Sequence, residues 1–299
     1  MKGTVQGIRG PFFGVPLCKL YRIAVDMNLK VKSFALRKVI LTMIKRAKTG
    51  HIGGDFSVCD ILNVLYNAEM NVGPENIQDD CHDRLILSKG HSAEALYAVL
   101  SDKGFFDPAD LETFSRFGSK YIGHPNNKVN GIEMNSGSLG HGLSVGTGMA
   151  LAGKMDERDY RVYVVMGDGE LAEGSVWEGA MAAGHYRLDN LCAVVDRNRL
   201  QISGGTEEVM AQDSQDLRWA SFGWHVLHAK GNDVDDLIRA FQAARAHKGT
   251  PTVIIADTTK GCGVSFIEDQ VGWHHRVPTD EEYQQAMEEL SKKEAAANE

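Results

Sequence analysis

No apolar run in these 299 residues approaches the length of a membrane-spanning helix. Long basic runs are missing too, and the formal net charge is −8. Nothing therefore points to nucleic acid or to an anionic membrane as a partner. The five cysteines (Cys18, Cys59, Cys81, Cys192 and Cys262) form no CxxC pair, and their number is odd. That fits reduced thiols in a cytoplasmic protein better than a disulfide framework or a zinc site. Near the N-terminus, "GPFFGVPLC" is short, broken by proline and without a small-residue cleavage site, so no signal peptide is expected. Residues 1–32 read instead as an extension ahead of the folded core. No internal repeat and no linker divides the chain that follows.

What is present is the composition of a globular protein: 43% hydrophobic and 24% charged residues. A soft prior of roughly one domain per 150 residues allows one large domain or two small ones, and the length suffices for a sizeable core. The 32 glycines cluster in short loops, which suggests backbone approaching something closely.

The apolar pattern predicts elements. Leu36, Val39, Ile40, Met43 and Ile44 follow the rhythm of one helical face from about Ser33. "TGHIGGDFS" is expected to stop that helix, with helical pattern resuming from Asp60 to Met70. "DRLILSKGH" reads as a buried strand ending in a Gly-His turn, followed by the helix "SAEALYAVLSDKG". Residues 104–140 are irregular, and a loop that long is usually functional. "GLSVGTGMALAGKM" is a small-residue helix. Strand "RVYVVM", helix "GSVWEGAMAAGHYRL", strand "LCAVVD", strand "HVLHA", helix "VDDLIRAFQAARAHK" and strand "PTVIIADT" follow. Continuous apolar strands alternating with helices indicate a mainly parallel, doubly wound α/β sheet covered by helices on both faces. A domain over residues 33–279 is expected, then an exposed charged helix and frayed tail over 280–299. In such sheets ligands lie beyond the carboxyl ends of the strands, where Asp168, Asn198 and Lys260–Gly263 fall.

Asp168 and Asn198 each follow an apolar strand, so both can reach one edge of the sheet. A carboxylate with an amide oxygen suits Mg²⁺ or Ca²⁺, and Mg²⁺ takes few protein ligands beside phosphate oxygens and water. The flanking glycines let backbone approach a diphosphate, and the following helix start offers N–H groups. A lone Gly-Asp-Gly is usually only a turn; the asparagine after the next strand makes the pattern more specific. Among eleven histidines, His51, His91, His124 and His141 stand beside glycine in expected loops, and His274 and His275 form "WHH". One such histidine is commonly a turn residue. Several at strand–loop junctions suit proton transfer near neutrality, whereas a metal role lacks HxxxH spacing or a cysteine partner. Glu173 opens a helix, where an acid complements the dipole or joins a proton network.

"GDGELAEG…DRN" resembles the thiamine-diphosphate motif, and the surrounding chain resembles the diphosphate-binding N-terminal half of transketolase. "KTGHIGGDFS", "LSKGHSAEALY", "GHPNNKVNGIEMNSGSLGHGLSVGTGMA" and "TTKGCGVSF…GWHH" match in order, over about residues 35–278. The resemblance implies a thiamine-diphosphate-binding fold and specific roles. Asp168 and Asn198, with the Leu200 carbonyl, would hold Mg²⁺, for which Ca²⁺ or Mn²⁺ can substitute. Gly169 and His91 would contact the diphosphate. Ile202 would lie under the thiazolium, and Gly137 and Leu139 would border the aminopyrimidine. His51, His124 and His274 would surround the reacting carbons, with His274 favoured over His275. Glu173 would touch the glutamate that activates the cofactor.

In the family that glutamate comes from a pyrimidine-binding domain after the half matched here, as do most arginines that grip the substrate phosphate. One subunit of a split enzyme is therefore expected, completed by a pyrimidine-domain subunit, most simply as α2β2. Two departures stand out: Ile52, where full-length members usually carry proline, and Lys260, at a position often apolar. The implied activity is transfer of a two-carbon ketol unit from a ketose phosphate to an aldose phosphate. Alternatives are a relative specialised for another sugar phosphate such as apulose 4-phosphate, a synthase with another acyl donor, or a non-enzymatic cofactor-binding module.

Overall fold

The structure, a computed structural model, describes residues 28–299; most of the expected 1–32 extension lies outside the described residues. The first helix, α1 (Leu29–Ala47), starts four residues before the expected Ser33, capped by the Asn28 side chain accepting from Lys30 N. Val31 and Lys32 are buried on it, so the folded body begins ahead of residue 33.

The glycines of "TGHIGGDFS" do not separate two helices in the expected way. α1 ends at Lys48, in the left-handed region at φ 57°, and α2 (Ile52–Val64) begins directly after His51. Gly53 and Gly54 lie inside its first turn. A Cβ on Gly53 would meet the Trp273 carbonyl oxygen at 2.7 Å, so the glycine serves close packing rather than a break. α2 runs on through a wider turn, Leu65–Glu69.

Strand β1 (Arg84–Leu87) leads to α3 (Ala93–Asp102), and α4 (Gly142–Met155) precedes β2 (Val162–Gly167). α5 (Gly174–His185) leads to β3 (Leu191–Arg197). A short ribbon, β4 (Leu200–Gln201) with β5 (Gly204–Gly205), and two short helices, α6 (Thr206–Val209) and α7 (Gln215–Ser221), come next; the apolar pattern did not signal them. β6 (His225–Lys230), α8 (Val234–Ala246) and β7 (Thr252–Asp257) complete the sheet. Between α3 and α4 the chain is irregular, as expected, apart from one tight turn at Pro108–Thr113.

The main sheet is five-stranded, ordered β1-β2-β3-β7-β6, with every pairing parallel. Alternate side chains explain the continuous apolar strands. Tyr163, Val165, Cys192, Val194 and Ile254 face one core, shared with α1, α2, α3 and α8. Val162, Val164, Ala193, Val195 and Ile255 face a second, shared with α4 and α5. Both faces are covered, as a parallel sheet requires. The last helix, α9 (Asp280–Ala297), carries a Thr279–Glu282 capping box. It is not the exposed element expected: Tyr283, Ala286, Met287 and Leu290 are buried in the first core.

Candidate active site

Parallel pairing places the carboxyl ends of all five strands on one edge, and each expected site residue comes from a loop leaving it or folding over it. A cavity of about 310 Å³ opens there. His91 enters it from the β1–α3 loop, and Gly137 and Leu139 from the long irregular segment. Asp168 and Gly169 come from the end of β2, and Asn198 from the end of β3. Leu200 and Ile202 come from the ribbon, and His274 from the segment before α9. Gly137 lies at φ +142°, where a Cβ would meet the His124 ring at 2.7 Å. Only glycine lets this segment close over the cavity.

Asp168 is 3% exposed. Its Oδ1 accepts from Gly169 N at 2.9 Å; its Oδ2 accepts from Arg199 N at 2.7 Å and Thr206 Oγ1 at 3.1 Å. Burial raises its pKa, Asp196 adds to the rise, and these hydrogen bonds oppose it. Asn198 donates Nδ2 to Ser57 Oγ at 3.2 Å, which leaves Oδ1 on the side of Leu200 N, 3.2 Å away. The Leu200 carbonyl accepts from Lys260 Nζ at 3.0 Å. A carboxylate, an amide oxygen and a carbonyl oxygen, each with spare lone-pair capacity, form a hard-oxygen donor set that fits Mg²⁺. Among the described residues no group of three or more His, Cys, Asp or Glu is placed to hold a metal, so a soft-ligand site is not built here. A cation beside Asp168 would offset the cost of its buried charge. Ile202, 69% exposed on the ribbon tip, offers an apolar wall suited to a flat ring.

The histidines converge. The His51 ring centroid lies 5.5 Å from His91, 6.1 Å from His124, 5.8 Å from His274 and 4.7 Å from His275. His91 and His274 stack at 5.4 Å. His51, half-buried, and His124, exposed beside Gly137, do not themselves line the cavity, while His141 is exposed and bonds to Ser138 and Leu139 of its own loop. His275 is exposed, whereas His274 lines the cavity and accepts at Nδ1 from Lys260 Nζ at 2.8 Å. Burial, chiefly, lowers His51 to about 4 and His274 to about 3, with Lys260 contributing to both. Burial also lowers His91 and His124. His51, His91, His124 and His274 are therefore neutral near pH 7, and each of these rings can donate at one nitrogen and accept at the other. His51 Nδ1 is buried with no partner.

Glu173 precedes α5, is exposed, and makes no side-chain hydrogen bond or ion pair with any described residue. It packs against Gly140, whose added Cβ would meet Glu173 Cβ at 2.7 Å.

Three buried groups had no role in the sequence reading. Glu170, 3% exposed, accepts from Ser88 Oγ, from Gly140 N at 2.8 Å and from Gly167 N at 3.1 Å, tying three loops together. Lys89, 1% exposed, pairs with fully buried Asp196 and donates to the Gly54 carbonyl at 3.1 Å. Charged residues at the ends of fully apolar strands were the available signal. Lys260, placed at the carboxyl edge by the sequence but given no role there, is 1% exposed and lowered to about 8, by burial first and by Lys89 next.

Comparison with known proteins agrees with this geometry. Residues 30–296 match the family described as transketolase, thiamine diphosphate binding domain. The chain is 49% identical to one subunit of the apulose-4-phosphate transketolase of Phocaeicola vulgatus, over 89% of this chain and 95% of that protein. It is 40% identical to the 6-deoxy-6-sulfo-D-fructose transketolase subunit SqwG of a Clostridium species, over 89% of this chain and 98% of that one. The crystal structure of Campylobacter jejuni transketolase superposes with a TM-score of 0.83 at 29% identity, covering 89% of this chain and 43% of that chain.

Proposed function

This chain belongs to the transketolase family of transferases as a thiamine-diphosphate-binding domain, and on that premise we propose that it is the diphosphate-binding subunit of a two-subunit enzyme. The enzyme moves a two-carbon ketol unit from a ketose phosphate to an aldose phosphate. The observation that carries this reading is convergence: nine residues assigned from the sequence line one cavity at the carboxyl edge, beside a neutral histidine cluster.

Asp168, Asn198 and the Leu200 carbonyl would hold Mg²⁺; His91 and Gly169 would face the diphosphate; Ile202, Gly137 and Leu139 would bracket the rings. Bound thiamine diphosphate supplies the carbanion chemistry. The chain's own part is orientation and proton movement. Neutral His51, His124 and His274 can hydrogen-bond substrate hydroxyls and pass a proton without first losing one. Lys260, donating to His274 Nδ1, leaves the His274 proton on Nε2. Glu173, exposed and without a hydrogen bond or ion pair among the described residues, can meet a carboxyl from another chain. The relatives at 49% and 40% identity are subunits of split transketolases, which supports a pyrimidine-domain partner and the α2β2 arrangement. Four free cysteines among the described residues suit a reducing, cytoplasmic setting.

A specialised donor is the second reading, because those two relatives are named for apulose 4-phosphate and a sulfo-sugar. Copurification with the pyrimidine-domain partner, then an assay over a panel of ketose donors, separates the two. Calorimetry tests the shared premise: Mg²⁺-dependent thiamine-diphosphate binding is expected, and none with the partner present overturns it.

A further inference from the structure

Behind the histidine cluster lies a pair of acids that the proposed reaction does not use. Asp55 and Glu94 are both 0% exposed. Each stands in the first turn of a helix: Asp55 in α2, whose N-cap is His51, and Glu94 in α3, which follows the turn holding His91. Asp55 Oδ1 accepts from Ala95 N at 3.0 Å, a bond from one helix to the other. Gly50, at φ +148°, presses on the same place: an added Cβ would meet Glu94 Oε1 at 2.6 Å.

As two carboxylates the pair makes no sense. Asp55 Oδ2 and both Glu94 oxygens have no well-formed hydrogen bond among the described residues, the Glu94 and His51 amides alone lying close enough to favour the Glu94 charge, and two negative charges would be buried side by side. The Asp55–Ala95 bond seats Asp55 beside the residue that follows Glu94, and each acid acts on the other's pKa. A single proton between them supplies the missing donor and removes one charge. The remaining charge faces two helix N-termini, where the backbone dipoles favour it.

We propose that Asp55 and Glu94 share one proton and act together as a positioning pair, holding the starts of α2 and α3, and with them His51 and His91, in working register. The proposal rests on the reading of His51 and His91 as residues of the active site.

Burial is the main force on both acids and raises both, so the pair resists carrying two charges. Asp55 raises Glu94 further, while the backbone amides of Glu94 and His51 act in the opposite sense. Lys89, from the β1–α3 loop, is the cation that draws Asp55 down. Cys59, one turn along α2, also faces Asp55, and its burial holds it as a thiol. Because burial resists a second charge here, the shared proton is held through neutral pH and given up on the alkaline side, where the two charges would push the helix starts apart.

The test uses Glu94→Gln, whose amide donates to ionised Asp55 with the same total charge and no proton to lose. With the partner and cofactor present, kcat of the unsubstituted enzyme is expected to fall on the alkaline side. In Glu94→Gln that fall moves to higher pH, by a pH unit or so, roughly a tenfold difference in kcat in the alkaline range. Superimposable profiles overturn the proposal. Infrared spectroscopy of the isolated chain gives a readout independent of cofactor, partner and activity. A protonated-carboxyl stretch is expected at neutral pH, lost on raising the pH and missing in both Glu94→Gln and Asp55→Asn. No pH-sensitive carboxyl band in the unsubstituted chain overturns the proposal even if neither variant folds, and leaves the transketolase reading untouched.

Discussion

Asp168 is held by three hydrogen bonds from its own turn, the β3 loop and α6, so its position does not depend on a bound cation. Asp168→Ala leaves the Gly169 and Arg199 N–H groups and the Thr206 hydroxyl without their acceptor, so some stability is lost; Asp168→Asn keeps an acceptor there. Asp168→Ala is expected to abolish Mg²⁺-dependent thiamine-diphosphate binding in calorimetry; unchanged affinity would refute the ligand assignment. Glu170 is held in the same way but does not belong to the proposed metal-ligand set. Removing its carboxylate in Glu170→Ala leaves the Ser88 hydroxyl and the Gly140 and Gly167 N–H groups buried without an acceptor. At about 1–3 kcal/mol per unsatisfied group, discounted for relaxation, the loss is roughly 3 kcal/mol or more, read from the denaturant midpoint. His51 adds a pH dependence of known sign. Burial, first, lowers it from 6.5 to about 4. Between those values the unfolded chain binds a proton that the folded chain refuses, so this contribution to stability is full above 6.5 and is lost as pH falls. His51→Gln removes it. The variant should lose less stability than the unsubstituted protein between about pH 7 and about pH 5, and equal losses would contradict a buried neutral His51.

Among the elements, α9 carries the clearest expectation. Tyr283, Ala286, Met287 and Leu290 follow a helical stripe and bury against the first core. Leu290→Ala should cost about 2–5 kcal/mol, as for a buried leucine elsewhere; a loss under about 1 kcal/mol, the range of surface substitutions, would mean the helix is not docked. The stripe was present in the sequence but diluted by the Glu and Lys around it, which drew the reading toward an exposed tail. β2, β3 and β7 were legible for the converse reason. Both of their faces are buried, so nearly every residue is apolar, and no alternation had to be recognised. The α1–α2 junction misled because glycine within a helix and glycine ending one look alike locally. Only the Trp273 carbonyl and the Lys260 side chain, some two hundred residues on, show why Gly53 sits inside α2.

At the scale of the molecule, the exposed Glu173 fits the proposal that another chain completes the site. The isolated chain should bind the cofactor weakly and turn over little; with the pyrimidine-domain partner, both should rise together in calorimetry and in a donor assay. Full activity of the chain alone would overturn the two-subunit reading. The parallel α/β class, the residues that end each strand and the set of loops at the carboxyl edge were all determined by the sequence itself, because apolar periodicity and strand-terminal polar residues are local properties. Tertiary structure alone decided the pairings: Lys89 with Asp196, Lys260 with His274, Glu170 with Gly140, Asp55 with Glu94. Each joins segments brought together by the strand order β1-β2-β3-β7-β6, and no local pattern encodes which buried charge will face which.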